Sequence, residues 1–267
     1  MQKDTGYSIV TLPSSRLFTM DIGALGSRKH HVRAMIEIDV TEARKKIRTI
    51  QKKSGKTLSF TSWTLKCIGQ AVSEHKSVHA LRKGKNRILV FDDVDISLVI
   101  EKDYNGALVP LPIVIRKVNE KSAQELFNEI ETAKKQEVRT GKDYVLGGKQ
   151  SAEPMELFAL LPRWLRLIIW KILLSNPRRV KNMMGTAIVT SIGMMGKTSG
   201  WFIPYSIHPV CFGLGSIVRK PGAINNAVTI REYLSLTLLI DHDVVDGAPA
   251  ARFVSRLVEL METGSGL

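Results

Sequence analysis

In the stretch LIDHDVVDGAPAARF, residues 239 to 253, His242 and Asp246 enclose three residues of a short polar loop. An imidazole titrates near neutrality, so at such a place it can take a proton from a nucleophile and return it to a leaving group without a metal. The same pattern also suits a plain turn, because a histidine at a strand end is often only a hydrogen-bonded core residue. Other groups offer less. His75 and His79 have helical i, i+4 spacing, but no carboxylate or cysteine completes a metal set, so no metal is expected. The glycines of SIGMMGKTSG could cradle phosphate, although a turn between strands explains them better. Cys67 and Cys211 each sit inside an apolar run, which suits buried, reduced thiols rather than a bridge.

The elements around His242 are those that would fix a catalytic side chain. Leu234, Leu236, Leu238 and Ile240 alternate with Ser235 and Thr237, predicting a strand with distinct faces that runs into the loop. After the loop, APAARFVSRLVELME is an amphipathic helix with Val254, Leu257, Val258 and Met261 inward. Upstream, EIDVTEARKKIRTIQKKSG reads as the end of a strand, a cap at Thr41, a helix, and a stop at Ser54 and Gly55. A second helix follows Thr61, with Trp63, Cys67, Ile68, Ala71 and Val72 on one stripe. Val94, Ile96, Leu98 and Ile100 alternate towards a hairpin turn at Asn105 and Gly106, and Ser122 with Glu125 forms a capping box. TAIVTSI, VCFGLGSIV and REYLSLTLLI are further strands. This order of elements is α/β with hairpins, so a mixed or antiparallel sheet flanked by helices is expected rather than a doubly wound parallel one.

DHDVVDGAPAARFV resembles the DHRxxDGAxxARF signature of the catalytic domains of 2-oxoacid dehydrogenase dihydrolipoyl acyltransferases, and HxxxDG is shared with the chloramphenicol acetyltransferases of the same fold. VTSIGMMG is similar to that family's ISNLGMFG, PYSIHPVCFGLGSI to its PIINPPQVAILGVG, and VDISLVIEKDYNGALVPLPI to its VNIGIAVDTPRGLVVPVI. EIDVTEARKKI looks like its EVDVTEL. The likeness covers most of residues 33 to 262 and is weakest at 140 to 185. It implies acyl transfer between thiols, with coenzyme A on one side and a dihydrolipoyl group on the other. On this resemblance His242 is the base and Thr190, 52 residues earlier, takes the place of the oxyanion-stabilising serine, with Ser191 as fallback. Asp246 supports the histidine loop. Its arginine partner would be Arg28, because TGYSIV and SRKHH look like the acetyltransferase stretches TGYTTV and HRKEHF; Arg33 and Arg16 are the alternatives. Asp243 departs from the family's arginine and would raise the pKa of His242 if the two groups face each other.

Size and charge set the frame for these readings. The chain has 267 residues, 44% of them apolar, enough for a folded core without staples, and a formal charge of +14 that calls for an anionic partner. Its Lys and Arg runs lack aromatic interleaving, so nucleic acid is not expected. Lys197, Arg219 and Lys220 are candidates for the CoA phosphates, with solvated loop charges as the plainer reading. The division expected is an N-terminal arm at 1–27 and a catalytic domain at 28–267 with a helical insert at about 153–180. The arm is too short for a lipoyl domain, so a lipoyl group would arrive on another protein. A homotrimer with sites at subunit boundaries is implied by the resemblance, and a free trimer is expected because METGSGL lacks the apolar tail with which family members join trimers into cages. No signal sequence or membrane-spanning run is visible, and a cytoplasmic protein is expected. Residues 153–176, EPMELFALLPRWLRLIIWKILLSN, could pack on the domain or a neighbouring subunit, or lie on a membrane surface. Two further functions stay open: acetylation of a small hydroxylated compound, and a non-catalytic trimeric scaffold.

Overall fold

Period-two alternation builds one mixed sheet whose apolar face is covered by helices. The computed structural model describes residues 6, 7, 9, 14–55, 57–104, 107–136, 158, 160–192 and 199–267. Helix α1 (Ser14–Gly26) leads to strand β1 (His31–Asp39), helices α2 (Thr41–Ser54) and α3 (Phe60–Glu74), a small hairpin of β2 (Leu81–Lys83) and β3 (Arg87–Leu89), and a longer one of β4 (Ile96–Tyr104) and β5 (Ala107–Ile115). Helix α4 (Ala123–Lys135) comes next, followed by α5 (Arg163–Leu174), α6 (Pro177–Met184), strands β6 (Ala187–Ser191), β7 (Val210–Ile224) and β8 (Ala227–Asp241), and helix α7 (Gly247–Glu262).

The main sheet has the order β1-β8-β7-β6-β4-β5, and β2 with β3 forms a separate two-stranded sheet. β6 runs parallel to both β4 and β7, while β1–β8, β7–β8 and β4–β5 are antiparallel, so the sheet is mixed as expected. Leu234, Leu236, Leu238 and Ile240 of β8 join Val210, Phe212, Val189, Ile96 and Leu98 in the core, with Trp63 of α3 and Phe253 of α7 packed among them. The Phe212 and Phe253 rings meet edge to face at 6.2 Å. Among the inward residues expected of α7, Leu257 and Met261 are fully buried, and Val254 and Val258 pack partly exposed beside them.

Local signals explain most boundaries. α2 ends at Gly55, whose φ of 63° is the left-handed stop expected there, and α4 carries the full capping box of Ser122 and Glu125. Thr41 is not the cap of α2; Val40 holds that position without a side-chain bond. The Thr41 hydroxyl instead donates to Asp39 at 2.6 Å and accepts the Glu232 N–H at 2.7 Å, so it ties the helix start to β8. β7 and β8 turn over at Asn225 and Asn226, both at positive φ, a geometry that matches the twist of a two-residue hairpin. The expected turn at Asn105 and Gly106 lies outside the described residues, although Tyr104 pairs with Ala107 on either side of it.

Asp95 clamps the strands that carry the middle of the sheet. Its buried carboxylate accepts from Arg116 at 3.0 Å, from the Lys117 N–H at 2.9 Å and from Lys181 of α6, and its carbonyl accepts the Thr186 N–H just before β6. Gly185 permits this approach: its φ is 73°, and a Cβ there would sit 2.5 Å from the Asp95 carbonyl oxygen. Burial alone would push the Asp95 pKa up, but these donors together hold it below the ordinary carboxylate value. Asp95→Ala, which leaves the cations facing an apolar cavity, is therefore expected to cost about 3 kcal/mol, read as a lower urea midpoint. Because the folded pKa is depressed, the clamp's contribution is present above the ordinary carboxylate range and lost as pH falls through the folded value.

Candidate active site

His242 stands one residue beyond β8, exposed, on a backbone held from two sides. Its N–H donates to the His30 carbonyl at 2.9 Å, and the preceding residue, Asp241, is 1% exposed and bonded to Lys29 Nζ at 2.6 Å. Asp241 Oδ1 also accepts the Asp243 N–H at 3.2 Å, and its carbonyl accepts those of Val244 and Val245. A carboxylate that deep is costly unless paired, so the ion pair and the turn stand together. The side chain of His242 is reachable while its main chain is fixed, the combination a base needs.

The Asp243 carboxylate, expected to face His242, is engaged elsewhere. It meets His30 Nδ1 at 2.9 Å and Arg82 of β2 at 2.9 Å. The imidazole it raises is that of His30, through the hydrogen bond first and the charge second, and Asp243 is itself held below its ordinary value by His30 and Arg82. The remaining histidines are structural. His31 Nε2 contacts the His208 carbonyl at 2.9 Å, and partial burial lowers its pKa. His208 and His79 are pushed down to about 4 by burial, each with a backbone carbonyl within 3.2 Å of Nε2. The His75 ring packs against Phe253, and no metal-ligating cluster occurs among the described residues. Cys67 and Cys211 are buried and free, their thiols pushed up to about 12.

Thr190 and His242 do not meet within one chain. Thr190 pairs with Gly213, and Gly213 with Thr237, so all three lie at one level of the sheet. At about 3.3 Å per residue and about 4.8 Å per strand, four residues along β8 and two strands across put Thr190 roughly 16 Å from Asp241, the neighbour of His242. Ala187 and Val189 point into the core, so strand alternation turns Thr190 to the opposite face and Ser191 back towards the helices. Asp246 is the N-cap residue of α7, with no side-chain bond to the helix. The expected Arg28–Asp246 pair is not formed, and neither Arg16 nor Arg33 replaces it; all four side chains are exposed and lack ion-pair partners among the described residues. Lys29, one residue beyond Arg28, makes the anchoring contact instead. Of the phosphate candidates, Lys197 lies outside the described residues, Lys220 pairs with Glu37 and covers the Tyr233 ring at 4.8 Å, and Arg219 is exposed.

The His30–Asp243 contact defines a pH window. His30, with its raised pKa, contributes fully below the ordinary histidine value of about 6.5 and loses that contribution as pH rises through the raised value. Asp243 fails only when pH falls through its lowered value. In an NMR titration, His30 should take up its proton at higher pH than a free histidine, and Asp243→Asn should return it towards the ordinary value.

Comparison with known proteins places this geometry. The family described as "2-oxoacid dehydrogenases acyltransferase (catalytic domain)" matches residues 27–143 and 176–267. The lipoamide acyltransferase component of the branched-chain alpha-keto acid dehydrogenase complex of Bacillus subtilis is 24% identical over 238 residues, covering 87% of this chain and 47% of that protein. The chain thus spans about half the length of the curated relatives it matches. A probable dihydrolipoamide acetyltransferase of Listeria monocytogenes superposes with a TM-score of 0.69 at 20% identity, covering 97% of this chain and 96% of that one. A chloramphenicol acetyltransferase superposes with a TM-score of 0.52 at 13% identity, covering 97% of both chains. The fold is therefore the chloramphenicol acetyltransferase-like one, and with the family match spanning most of its length the chain belongs to the 2-oxoacid dehydrogenase acyltransferase catalytic-domain family.

Proposed function

We propose that the chain moves an acyl group between coenzyme A and a thiol, the acceptor being a dihydrolipoyl group presented by another protein. The observation that carries this reading is an exposed imidazole, His242, on a loop anchored by an ion pair from Lys29 to the buried Asp241. His242 takes the proton of the acceptor thiol, and the sulfur attacks the thioester carbonyl to form a new C–S bond. The Thr190 hydroxyl donates to the oxygen that becomes negative. The C–S bond to CoA then breaks, and the imidazolium returns its proton to the departing thiolate. Lys29 and Asp241 hold the loop in place of the expected Arg28–Asp246 pair, and exposed Arg219 is available to a CoA phosphate.

The site is shared between copies of the chain, because a donor roughly 16 Å from the residue that precedes its base cannot serve the same carbonyl. Val32 and Met35 on the edge strand β1, with Trp201, Ile203 and Tyr205, are 40–69% exposed and provide apolar surface for such a contact. A closed homotrimer joins the His242 of one subunit to the Thr190 of the next.

Purified protein given acyl-CoA and dihydrolipoamide should release free CoA. His242→Ala should lower the rate by about two to four decades and Thr190→Val by about two to three. The shared site is tested by unfolding and refolding the two inactive variants together: mixed oligomers should regain activity that neither variant has alone. Equal CoA release by His242→Ala and the parent protein would remove His242 from the mechanism.

A further inference from the structure

We infer that helices α5 and α6 form a docking surface for an anionic membrane, with α5 lying in the headgroup layer rather than crossing it. The family match skips residues 144–175 and everything before residue 27, and those two unmatched pieces hold each other. Arg166 on the inner side of α5 donates to both oxygens of the fully buried Asp21 of α1, from Nε at 2.8 Å and Nη2 at 3.1 Å. Phe158 stacks on Phe18 of α1 at 5.5 Å and meets Trp170 of α5 edge to face at 6.0 Å. One side of α5 is thereby fixed to the domain.

The other side is apolar and open. Trp164, Ile168 and Ile172 recur every fourth residue and are 64%, 47% and 59% exposed, with Leu160 before the helix at 81%. At 1.5 Å per residue the three cover about 12 Å of one helix face. Isolated exposed apolar residues are ordinary, but a stripe at helical spacing marks a contact. Arg163 and Lys171 on α5 and Arg178 and Arg179 on α6, which follows it directly, are exposed and without ion-pair partners among the described residues. No aspartate or glutamate occurs between Glu156 and Glu232, so nothing in this part of the sequence neutralises them.

That charge selects the occupant. A second copy docked on the same face would set unpaired cations against unpaired cations. An anionic lipid surface supplies the opposite charge beside an apolar layer, and an exposed tryptophan among leucine and isoleucine with flanking Lys and Arg suits that boundary. No helix among the described residues is long and apolar enough to cross a membrane, which fits a helix lying along the surface.

The test is co-sedimentation of the full chain with phosphatidylglycerol-containing vesicles and with phosphatidylcholine vesicles. Expected is binding to the anionic vesicles that weakens as salt is added and is far weaker on phosphatidylcholine. Each of Arg178→Gln and Arg179→Gln should weaken it about fivefold. Trp164→Ser with Ile168→Ser and Ile172→Ser should abolish it while the circular dichroism spectrum and CoA release stay unchanged. The proposal is overturned by no binding to anionic vesicles at low salt, or by binding that the triple variant retains. It is equally overturned if the triple variant instead lowers the oligomeric state without vesicles, which would assign the face to a second copy. Failure of CoA release alone would count against the acyltransfer reading and leave the vesicle result to stand or fall separately.

Discussion

The ion pair between Lys29 and Asp241 is the interaction on which the His242 loop depends. Moving a carboxylate out of water costs several kcal/mol unless a cation and hydrogen bonds replace the solvent, and Asp241 receives both. Lysine suits the position because an ammonium is a compact charge that can take one oxygen and leave the other to the Asp243 N–H. The pair also brings the 28–31 segment across β8, so that the His30 carbonyl accepts the His242 N–H. The main chain on both sides of the imidazole is thus set by contacts that the imidazole itself does not make, and among the described residues its ring nitrogens have no hydrogen-bond partner.

Next to this anchor the chain carries a second acid, Asp243, and the fold surrounds it with cations. Asp243 is flanked by His30 and Arg82, one from the segment before β1 and one from β2. Exposed pairs of this kind each contribute little to stability, but a carboxylate with two cations on it projects little negative field towards an anionic ligand. The negative charge of Asp243 is offset by residues far from it in sequence. Protonation of His30 adjusts that balance, since with a neutral imidazole Arg82 is the one cation paired with the carboxylate among the described residues.

The sheet was readable wherever a strand has one buried face. Leu234, Leu236, Leu238 and Ile240 announce β8 by parity alone, and Ser122 with Glu125 announces α4 by a bond that spans three residues. What could not be read is what crosses the fold. Lys29 and Asp241 are 212 positions apart and share no local pattern, while the likeness to acetyltransferases pointed to a different pair, Arg28 with Asp246. A sequence signal did exist: a carboxylate at the end of an otherwise apolar strand needs a cation, and a lysine lies within the short link before β1. Asn225-Asn226 was a second signal, since paired asparagines tolerate the positive φ of a tight hairpin and would have joined the two strand runs into one long ribbon. Thr41 was misassigned because its hydroxyl has a competing acceptor, Asp39, two residues away.

The unmatched segments follow the same logic of paired burial. An arginine inside an apolar helix is unfavourable unless its guanidinium finds a carboxylate, so Arg166 requires Asp21, and α5 cannot take its position without α1. The aromatic cluster of Phe18, Phe158 and Trp170 fills the same contact and adds the apolar area that an ion pair lacks. A helix secured on one side by a specific pair presents its opposite face in a fixed orientation, with Trp164, Ile168 and Ile172 aligned rather than dispersed. Had the segment served only to fill the domain, that face would have been polar, because apolar exposure costs solubility without adding core. The sequence retains both halves of the arrangement: the inward Arg166 that fixes the helix, and the outward stripe that only a further surface can bury.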